Sequence, residues 1–202
     1  MVTIVWDVDD VLNDLTLYWF KSEWLNVHPG SAVQFDDITE NPPHRILGMT
    51  KNDYLLSLDN FRLSNYAEGL LPNPDVLDWF QRFGEHYRHI ALTAAPIQTA
   101  HISAQWVIRH FGQWIRTFHF IPSHRNMQRL VEYDGSKADY LRWLGKADII
   151  VDDNEANIQG AEEAGITGIL MPCPWNKGKS GMTETLKFLT ETAESISYKK
   201  QL

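Results

Sequence analysis

Short apolar runs alternate with longer stretches of helical pattern along this chain. The apolar runs lie near residues 2–6, 88–92, 117–121, 148–151 and 167–171, and each has the length of a buried strand. Strands that alternate with helices over short connections are typical of a parallel sheet, and right-handed crossovers place the helices on both of its faces. The pattern therefore predicts an α/β fold, a doubly wound three-layer sandwich.

Proline, glycine and small polar residues mark the ends of the predicted helices. One helix begins at about Pro74 and ends at Gly84, and another covers residues 97–110 and stops at Gly112. Serine and asparagine side chains accept hydrogen bonds from the free amide groups of a helix start. The residues predicted to cap two later helices are Ser136 and Asn154.

The connection after the first strand is too long to be a single crossover. Residues 15–25 carry apolar side chains at helical spacing, and residues 41–43 interrupt the chain before a second predicted helix near residues 51–58. We expect this insertion to form a small cap. The predicted division is a core domain of residues 1–14 and 72–202 and a helical cap of residues 15–71.

Acidic side chains follow two of the predicted strands. Asp7, Asp9 and Asp10 follow the first strand, whereas Asp152 and Asp153 follow the fourth. The carboxyl ends of parallel strands share one edge of the sheet, which is where such folds bind their ligands. Asp7 and Asp9 are two residues apart and point to the same side of an extended backbone, so they can share one metal ion or one substrate.

Groups that bind anions are predicted at the same edge. Thr93 and Ala94 end the second strand and offer a hydroxyl and main-chain amides, and Lys137 opens a helix. Carboxylates, a hydroxyl with neighbouring amides and a lysine are the components of metal-assisted phosphoryl transfer, in which positioning and charge neutralisation do most of the catalysis. Lys146 and Arg125 are alternative cations in this part of the chain.

At these positions the sequence resembles the haloacid dehalogenase superfamily, whose four motifs occur in the same order along nearly the whole chain. Residues 7–9 resemble its first motif, Thr93 its second, Lys137 its third, and residues 152–153 its fourth. The resemblance implies a Rossmann-like core with the strand order 5-4-1-2-3. It also implies that the insertion is a helical lid over the carboxyl ends of the strands, which would exclude water and select the leaving group.

The second acidic position separates the branches of this superfamily. A carboxylate at Asp9 resembles the phosphatase pattern, because the dehalogenase branch lacks it and the ion-pump branch carries threonine there. The resemblance implies that Asp7 is the nucleophile, which attacks phosphorus to form an aspartyl-phosphate. Asp9 would protonate the leaving oxygen and then activate the water that releases phosphate.

Magnesium is the implied cofactor, because it is a hard cation that prefers carboxylates and water. The implied ligands are the side chains of Asp7 and Asp152 and the main-chain carbonyl of Asp9. Asp153 would support these ligands from outside the coordination sphere. The implied phosphate-binding residues are Thr93, Ala94 and Lys137.

Within the superfamily the closer likeness is to the 5'(3')-deoxyribonucleotidase-like group. It implies a Mg²⁺-dependent nucleotidase that acts on a nucleoside monophosphate. The segments that carry this likeness are residues 7–14, 92–96, 106–112 and 174–176.

Two departures from the family pattern and the aromatic content of the cap bear on the substrate. Asp10 stands where the family usually has glycine, and Ala94 replaces a frequent serine.

Aromatic rings can stack on a nucleobase, although most of those in the cap are expected to form its core. The cap aromatics are Tyr18, Trp19, Phe20, Trp24, Phe35, Tyr54, Phe61 and Tyr66.

Composition and charge narrow the class of partner. The 202 residues are 44% hydrophobic, which is enough for one core and a small appendage. The formal net charge of -8 argues against a nucleic-acid polymer, whose binding requires a basic surface. The expected partner is a small phosphorylated metabolite. A single cysteine, a first strand too early for a secretory signal and apolar runs shorter than a membrane span predict a cytoplasmic protein without membrane contact.

Two other classes of function stay open. The first is a nucleotide- or phosphate-binding regulatory protein with weak catalysis, which the extra negative charge of Asp10 suggests. The second is a different enzyme with the same nucleophile, such as a sugar phosphatase, a phosphonate hydrolase or a phosphosugar mutase. The leaving group and the oligomeric state are also open.

Overall fold

The computed structural model describes residues 1–123, 125, 131, 133–178 and 180–201. These residues form a sheet of five parallel strands in the order β3-β2-β1-β4-β5. The order implied by the family resemblance is the same order read from the opposite edge, and it is confirmed. The strands are β1 (Thr3–Trp6), β2 (Arg88–Ala95), β3 (Ile115–Pro122), β4 (Ile149–Asp152) and β5 (Thr167–Leu170).

Helices fill the connections between the strands. Ser136 and Asn154 accept hydrogen bonds from main-chain amides of the first helical turn, and the helix ends predicted at Gly84 and Gly112 are confirmed. None of the helices in the described ranges combines the length and the apolar character needed to cross a membrane. The α-helices are α1 (Leu15–Trp19), α2 (Leu25–Val27), α3 (Lys51–Arg62), α4 (Asn65–Glu68), α5 (Pro74–Phe83), α6 (Ile97–Phe111), α7 (Lys137–Leu144), α8 (Glu155–Glu163) and α9 (Met182–Lys199). Segments of other helix types are Phe20–Trp24, Phe35–Asp37 and Gly84–His86.

Alternate residues of the central strand β1 face opposite sides of the sheet. Ile4 and Trp6 pack in a cluster with α5, α6 and α9 that includes Phe80 and Leu189. Val5 packs on the other side, in a cluster with side chains of α7 and α8. Helices therefore cover both faces, as a run of apolar residues without alternation predicts for a parallel strand. The three-layer α/β sandwich is confirmed.

The inserted segment has a hydrophobic cluster of its own. Its aromatic rings pack on one another, as in the stacked pair of Phe20 and Trp24, whose centroids are 5.0 Å apart. The chain segments that enter and leave the insertion are joined by a hydrogen bond in which Asn73 Nδ2 donates to Asp14 Oδ1 over 2.9 Å. The domain boundaries at residues 14 and 72 stay predictions. The buried residues of this cluster are Leu15, Trp19, Phe20, Trp24, Ile38, Leu47, Tyr54, Leu58, Phe61, Ala67 and Leu70.

A buried histidine connects the sheet to the end of α5. Trp6 Nε1 donates to His89 Nδ1 over 3.0 Å, so the ring proton lies on Nε2, which donates to Gly84 O over 2.8 Å. The rings of Trp79 and Phe80 pack against this imidazole. Burial lowers the pKa of His89 to about 4, although the hydrogen bond to Gly84 opposes the shift. The folded protein therefore holds the ring neutral.

We expect this histidine to make the stability of the protein depend on pH. Because the pKa of His89 falls from 6.5 to about 4 on folding, the unfolded chain takes up a proton between these values that the folded chain does not. The contribution of about 3 kcal/mol to the free energy of unfolding is complete above the unfolded pKa and is lost as the pH falls toward the folded pKa.

Chemical denaturation of wild type and His89→Gln across this pH range measures the effect. The substitution should flatten the pH dependence, whereas His101→Gln, which changes an exposed ring, should leave it as in wild type. Parallel pH profiles for wild type and His89→Gln would contradict the prediction.

Candidate active site

The predicted site residues meet at the carboxyl edge of the sheet. Asp7 directly follows β1, Asp152 ends β4, and Thr93 lies in β2, which flanks β1 on the other side. Lys137 is the first residue of α7, where the Ser136 cap fixes the helix start. The edge predicted from the ends of the apolar runs is therefore the edge at which these side chains gather.

A buried ammonium group lies between two carboxylates at this edge. Lys137 Nζ is 2.7 Å from Asp7 Oδ2 and 2.7 Å from Asp152 Oδ2, and the lysine side chain is 2% exposed. Burial alone would lower the pKa of Lys137, but Asp152 and Asp7 outweigh it and hold the pKa above its usual value. Lys137 is thus a permanent cation. Lys146, an alternative, is exposed.

The nucleophile candidate carries a perturbed carboxyl group. Burial raises the pKa of Asp7 to about 7, against the opposing charge of Lys137 and with a further increase from Asp152. One of its oxygens, Oδ1, accepts a hydrogen bond from the Val8 amide over 2.8 Å. Perturbed carboxyl groups in clefts are characteristic of catalytic sites.

Three carboxylates are close enough to share one cation. Asp7, Asp152 and Asp153 each place an oxygen within 4.8 Å of the others, and all three residues are buried. Lys137 supplies one positive charge against these three acidic groups, so the cluster favours an additional cation. Carboxylate oxygens fit Mg²⁺, a hard cation. The geometry includes the Asp153 side chain in this group, while the main-chain carbonyl of Asp9 as a ligand stays a prediction.

Polar side chains hold the acidic pair at the end of β4. Asn157 Nδ2 donates to Asp152 Oδ1 over 3.0 Å, and the main-chain N–H of Asn154 donates to the same oxygen over 2.9 Å. Trp175 Nε1 donates to Asp153 Oδ2 over 2.7 Å. Burial raises the pKa of Asp153, and Asp152 raises it further, while the Trp175 hydrogen bond opposes the shift.

The sequence analysis missed the part that Asn157 plays. Asn154 and Asn157 are three residues apart at the start of α8, directly after the acidic pair, and that spacing was a usable signal.

The segment 174–176, one of those that carry the sequence resemblance, lies beside the acidic pair. Asn176 Nδ2 donates to Asp153 O over 2.8 Å and to Met171 O over 2.7 Å. The segment therefore fixes the backbone beside the site.

Asp10 occupies a backbone position that usually requires glycine. Its φ of 62° lies in the left-handed region, which asparagine and aspartate adopt more readily than other residues with a side chain. Its carboxylate accepts hydrogen bonds from Thr16 N over 2.8 Å and Thr16 Oγ1 over 2.5 Å. Burial raises the pKa of Asp10 to about 7, and these hydrogen bonds oppose the shift. The side chain is thus bound to the first turn of α1.

Asp9 makes a different contact from its neighbours. Arg62, the last residue of α3, donates to Asp9 Oδ2 from Nε over 3.1 Å and from Nη2 over 3.0 Å. Arg62 also binds Asp59, which in turn binds Arg125. The sequence analysis did not select Arg62 or Asp59, because the helix predicted near residues 51–58 ends before them, whereas the observed helix continues to Arg62.

A pocket of about 340 Å³ lies between the sheet edge and the insertion. Asp7, Asp9, Thr93 and Ala94 line it at the sheet edge, whereas Lys137 contacts Asp7 but does not line the pocket. This volume is at the lower end of the range for small-molecule sites. The remaining lining residues are Asp10, Thr16, Asn41, Pro42, Lys51, Tyr54, Leu55, Leu58, Arg62, Ser123, Arg125, Asp153, Asn154 and Asn157.

Most of the cap aromatics pack in the hydrophobic core of the insertion. Tyr54 lines the pocket, but it is only 2% exposed and packs edge-on against Trp19. Phe35 packs against Trp175, and Tyr18 packs against Tyr66. Stacking of a nucleobase on one of these rings therefore has little support from the geometry.

The fold is similar to several solved structures. A haloacid dehalogenase-like hydrolase from Streptococcus pneumoniae superposes with a TM-score of 0.58 at 12% identity, covering 98% of each chain. A Thermotoga maritima protein with a provisional beta-phosphoglucomutase assignment gives a TM-score of 0.58 at 16% identity, covering 95% of this chain and 99% of that chain. CbbY from Rhodobacter sphaeroides, solved with phosphate, gives 0.51 at 17% identity, covering 89% and 90%.

These similarities identify the fold as that of the haloacid dehalogenase-like hydrolases. The sequence itself matches no protein-family model and no curated protein. At such low identities the comparison establishes the fold, and the chemistry has to be argued from the site. The names of these three structures do not include a nucleotidase. The nucleoside monophosphate thus stays a prediction.

The carboxylate cluster leads to a prediction about metal binding. Mg²⁺ at about thirty times its Kd should raise the free energy of unfolding by about 2 kcal/mol, because it binds the folded state alone. Asp152→Asn should remove most of this gain, since it deletes a buried ligand charge. Thermal unfolding with and without Mg²⁺ measures both effects.

Asp36→Asn is the matched control, because Asp36 is exposed and belongs to the insertion rather than to the cluster. It should respond to Mg²⁺ as wild type does. An equal Mg²⁺ response in wild type and Asp152→Asn would show that the ion binds elsewhere.

Proposed function

We propose that the protein is a Mg²⁺-dependent hydrolase of small phosphomonoesters. The observation that carries the proposal is the buried centre of Asp7, Lys137 and Asp152, of which Asp7 lines a pocket that is also lined by Asp9. A nucleophile, a proton carrier and a charge-balancing group thus converge where a fold of this type binds its ligand.

In the proposed mechanism Asp7 attacks the phosphorus atom. An Asp7 carboxylate oxygen forms a bond to phosphorus as the bond to the leaving oxygen breaks, and Asp9 transfers its proton to that oxygen. A water molecule then attacks the aspartyl-phosphate and gives a proton to Asp9. The bond between Asp7 and phosphorus breaks, which releases inorganic phosphate and restores both carboxyl groups.

Charge balance is the main task of the surrounding groups. Asp7, Asp152 and Asp153 would hold Mg²⁺, with the Asp9 carbonyl as a further candidate ligand. Bound Mg²⁺ would supply positive charge that favours the ionised nucleophile and offsets the charge of the phosphate. Thr93 and the exposed Ala94 line the pocket and offer a hydroxyl and an amide to the phosphate oxygens, as the chain pattern predicts.

Lys137 is proposed to act mainly through Asp7. Its Nζ contacts both Asp7 and Asp152, and its side chain is outside the described pocket lining. A cation in that position orients the nucleophile and neutralises part of the cluster. Two of its three N–H groups serve Asp7 and Asp152, so a direct contact of Lys137 with phosphate would use the third.

The insertion is proposed to be the lid, with residues 15–71 as the cap and residues 1–14 and 72–202 as the core. The pocket has walls from both parts, including Leu58 of α3 and Ser123 after β3. Closure of such a lid removes water from a site in which an aspartyl-phosphate must last until Asp9 is ready to activate one water molecule.

Nucleoside monophosphates are the first candidates for the substrate. The support comes from the sequence likeness to the deoxyribonucleotidase-like group and from a pocket of about 340 Å³, which suits a small metabolite. Sugar phosphates are the second candidates. They are favoured by the sugar-phosphate name of one structural neighbour and by the lack of an open aromatic face among the described pocket residues.

Phosphate release from a panel of phosphomonoesters tests the function. The panel contains nucleoside monophosphates, sugar phosphates and 4-nitrophenyl phosphate, each with Mg²⁺ or with a chelator. Release should require Mg²⁺ and should fall by at least about a thousandfold in Asp7→Asn, because the amide cannot form the covalent intermediate.

Asp78→Asn is the control, because its carboxylate is exposed on α5 and pairs with Arg82. It should keep wild-type activity. No release from any ester by folded protein loaded with Mg²⁺ would refute the proposed hydrolase, and binding of a nucleotide without turnover would then favour a regulatory protein.

A further inference from the structure

A chain of four charged side chains connects the cap to both walls of the pocket. Arg62 of α3 binds Asp9 after β1, and its Nη1 donates to Asp59 Oδ1 over 3.0 Å. Arg125 Nε donates to Asp59 Oδ2 over 2.6 Å, and Arg125 Nη1 donates to Ser123 Oγ over 2.9 Å after β3. The chain therefore joins three segments that are distant in sequence.

This chain is largely withdrawn from solvent. The side chains of Arg62 and Asp59 are 12% and 7% exposed, and that of Asp9 is 15% exposed. A buried ion pair is weak evidence for stability, because the loss of hydration offsets much of the attraction. A hydrophobic contact would join the cap to the sheet at least as well, so the specific geometry of these charges requires another explanation.

The contact between Arg62 and Asp9 orients the carboxyl group. Both Nε and Nη2 of Arg62 donate to the same oxygen, Oδ2, and two donors from one rigid guanidinium group fix the position of that oxygen more closely than an ammonium group does. Among the described residues, the hydrogen bonds to this carboxylate end on Oδ2 and none ends on the other oxygen, Oδ1. One oxygen of Asp9 is thus held, while the other is available at a residue that lines the pocket.

We infer that Arg62 is a positioning residue for Asp9, held in place by Asp59, and that it leaves Oδ1 as the atom that exchanges a proton with the leaving group. This inference rests on the proposed function. Asp59 acts as the anchor, because its Oδ1 accepts hydrogen bonds from both Arg62 and Arg125 and its Oδ2 accepts another from Arg125. Arg62 comes from the cap, so the acid is in position only while α3 lies over the pocket.

The leaving group gives a readout that a purely structural role would not change. An alkoxide is a poor leaving group and needs the proton from Asp9, whereas 4-nitrophenolate leaves with little need of it. The value of kcat/KM reports the steps up to departure of the leaving group. A loss of positioning should therefore lower kcat/KM for an alkyl phosphate while it leaves kcat/KM for the aryl phosphate nearly unchanged.

The first variant is Arg62→Lys, which keeps the charge between Asp9 and Asp59 but loses the planar pair of donors. The second is Asp59→Asn with Arg62→Gln, which removes one charge of each sign. This second protein avoids leaving Asp59 as an unpaired buried charge, a change that can prevent folding. The matched control is Arg82→Gln, since Arg82 also pairs with an aspartate on its own helix but is exposed. Folding of each variant is checked by circular dichroism.

The substrates are the best alkyl phosphate of the panel and 4-nitrophenyl phosphate. In both Arg62 variants the ratio of kcat/KM values, alkyl over aryl, should fall about tenfold, a part of the total gain that general acid catalysis provides. In an Asp9→Asn background Arg62→Lys should leave this ratio unchanged, because the acid is already missing. Arg82→Gln should keep the wild-type ratio.

An equal loss for both substrates in folded Arg62 variants would overturn the inference and would assign Arg62 to cap structure alone. A further fall of the ratio when Arg62→Lys is added to Asp9→Asn would also overturn it. These outcomes are distinct from failure of the proposed function, in which the wild-type protein itself releases no phosphate from any ester.

Discussion

The contact of the Lys137 ammonium group with Asp7 and Asp152 is the constraint on which the rest of the structure depends. Both distances are 2.7 Å, and the lysine is withdrawn from water. Loss of the Lys137 charge would leave both carboxylates without this partner in a medium that hydrates them poorly. The contact requires β1, β4 and the start of α7 to hold one relative position. The strand order and the site are therefore consequences of the same packing.

The remaining charges at this edge explain how the insertion is attached. Asp9, Asp10 and Asp153 add three more acidic groups, and each is met by a different donor, of which Arg62 and Thr16 belong to the insertion. Burial of apolar side chains holds the insertion together, but it does not specify where the insertion lies on the core. Polar contacts have direction, so they are the better source of that specificity.

The features that the sequence predicted are those set by neighbours along the chain. The strands, the caps at Ser136 and Asn154 and the acidic strand ends all follow from local spacing. The contacts of Arg62 with Asp9 and of Arg125 with Asp59 join residues 53 and 66 positions apart, and no local pattern reports such pairs. Asp10 was only partly predictable. The sequence shows that it replaces the usual glycine, but its φ and its hydrogen bond to Thr16 are known only from the structure.

In the proposed hydrolase, one face of α3 would contribute most to selection of the leaving group. The helix lines the pocket at residues 51, 54, 55, 58 and 62, which recur every three or four positions and so form a single stripe. The twelve residues of α3 extend from the exposed Lys51 to Arg62 beside Asp9, and the eleven rises between them span about 16 Å. A leaving group bonded to phosphate at Asp7 would be able to extend along this stripe, past Leu58 and Leu55 toward Lys51. The cap of the proposed hydrolase would then distinguish the length of the leaving group and its polarity at the far end, rather than a stacked ring.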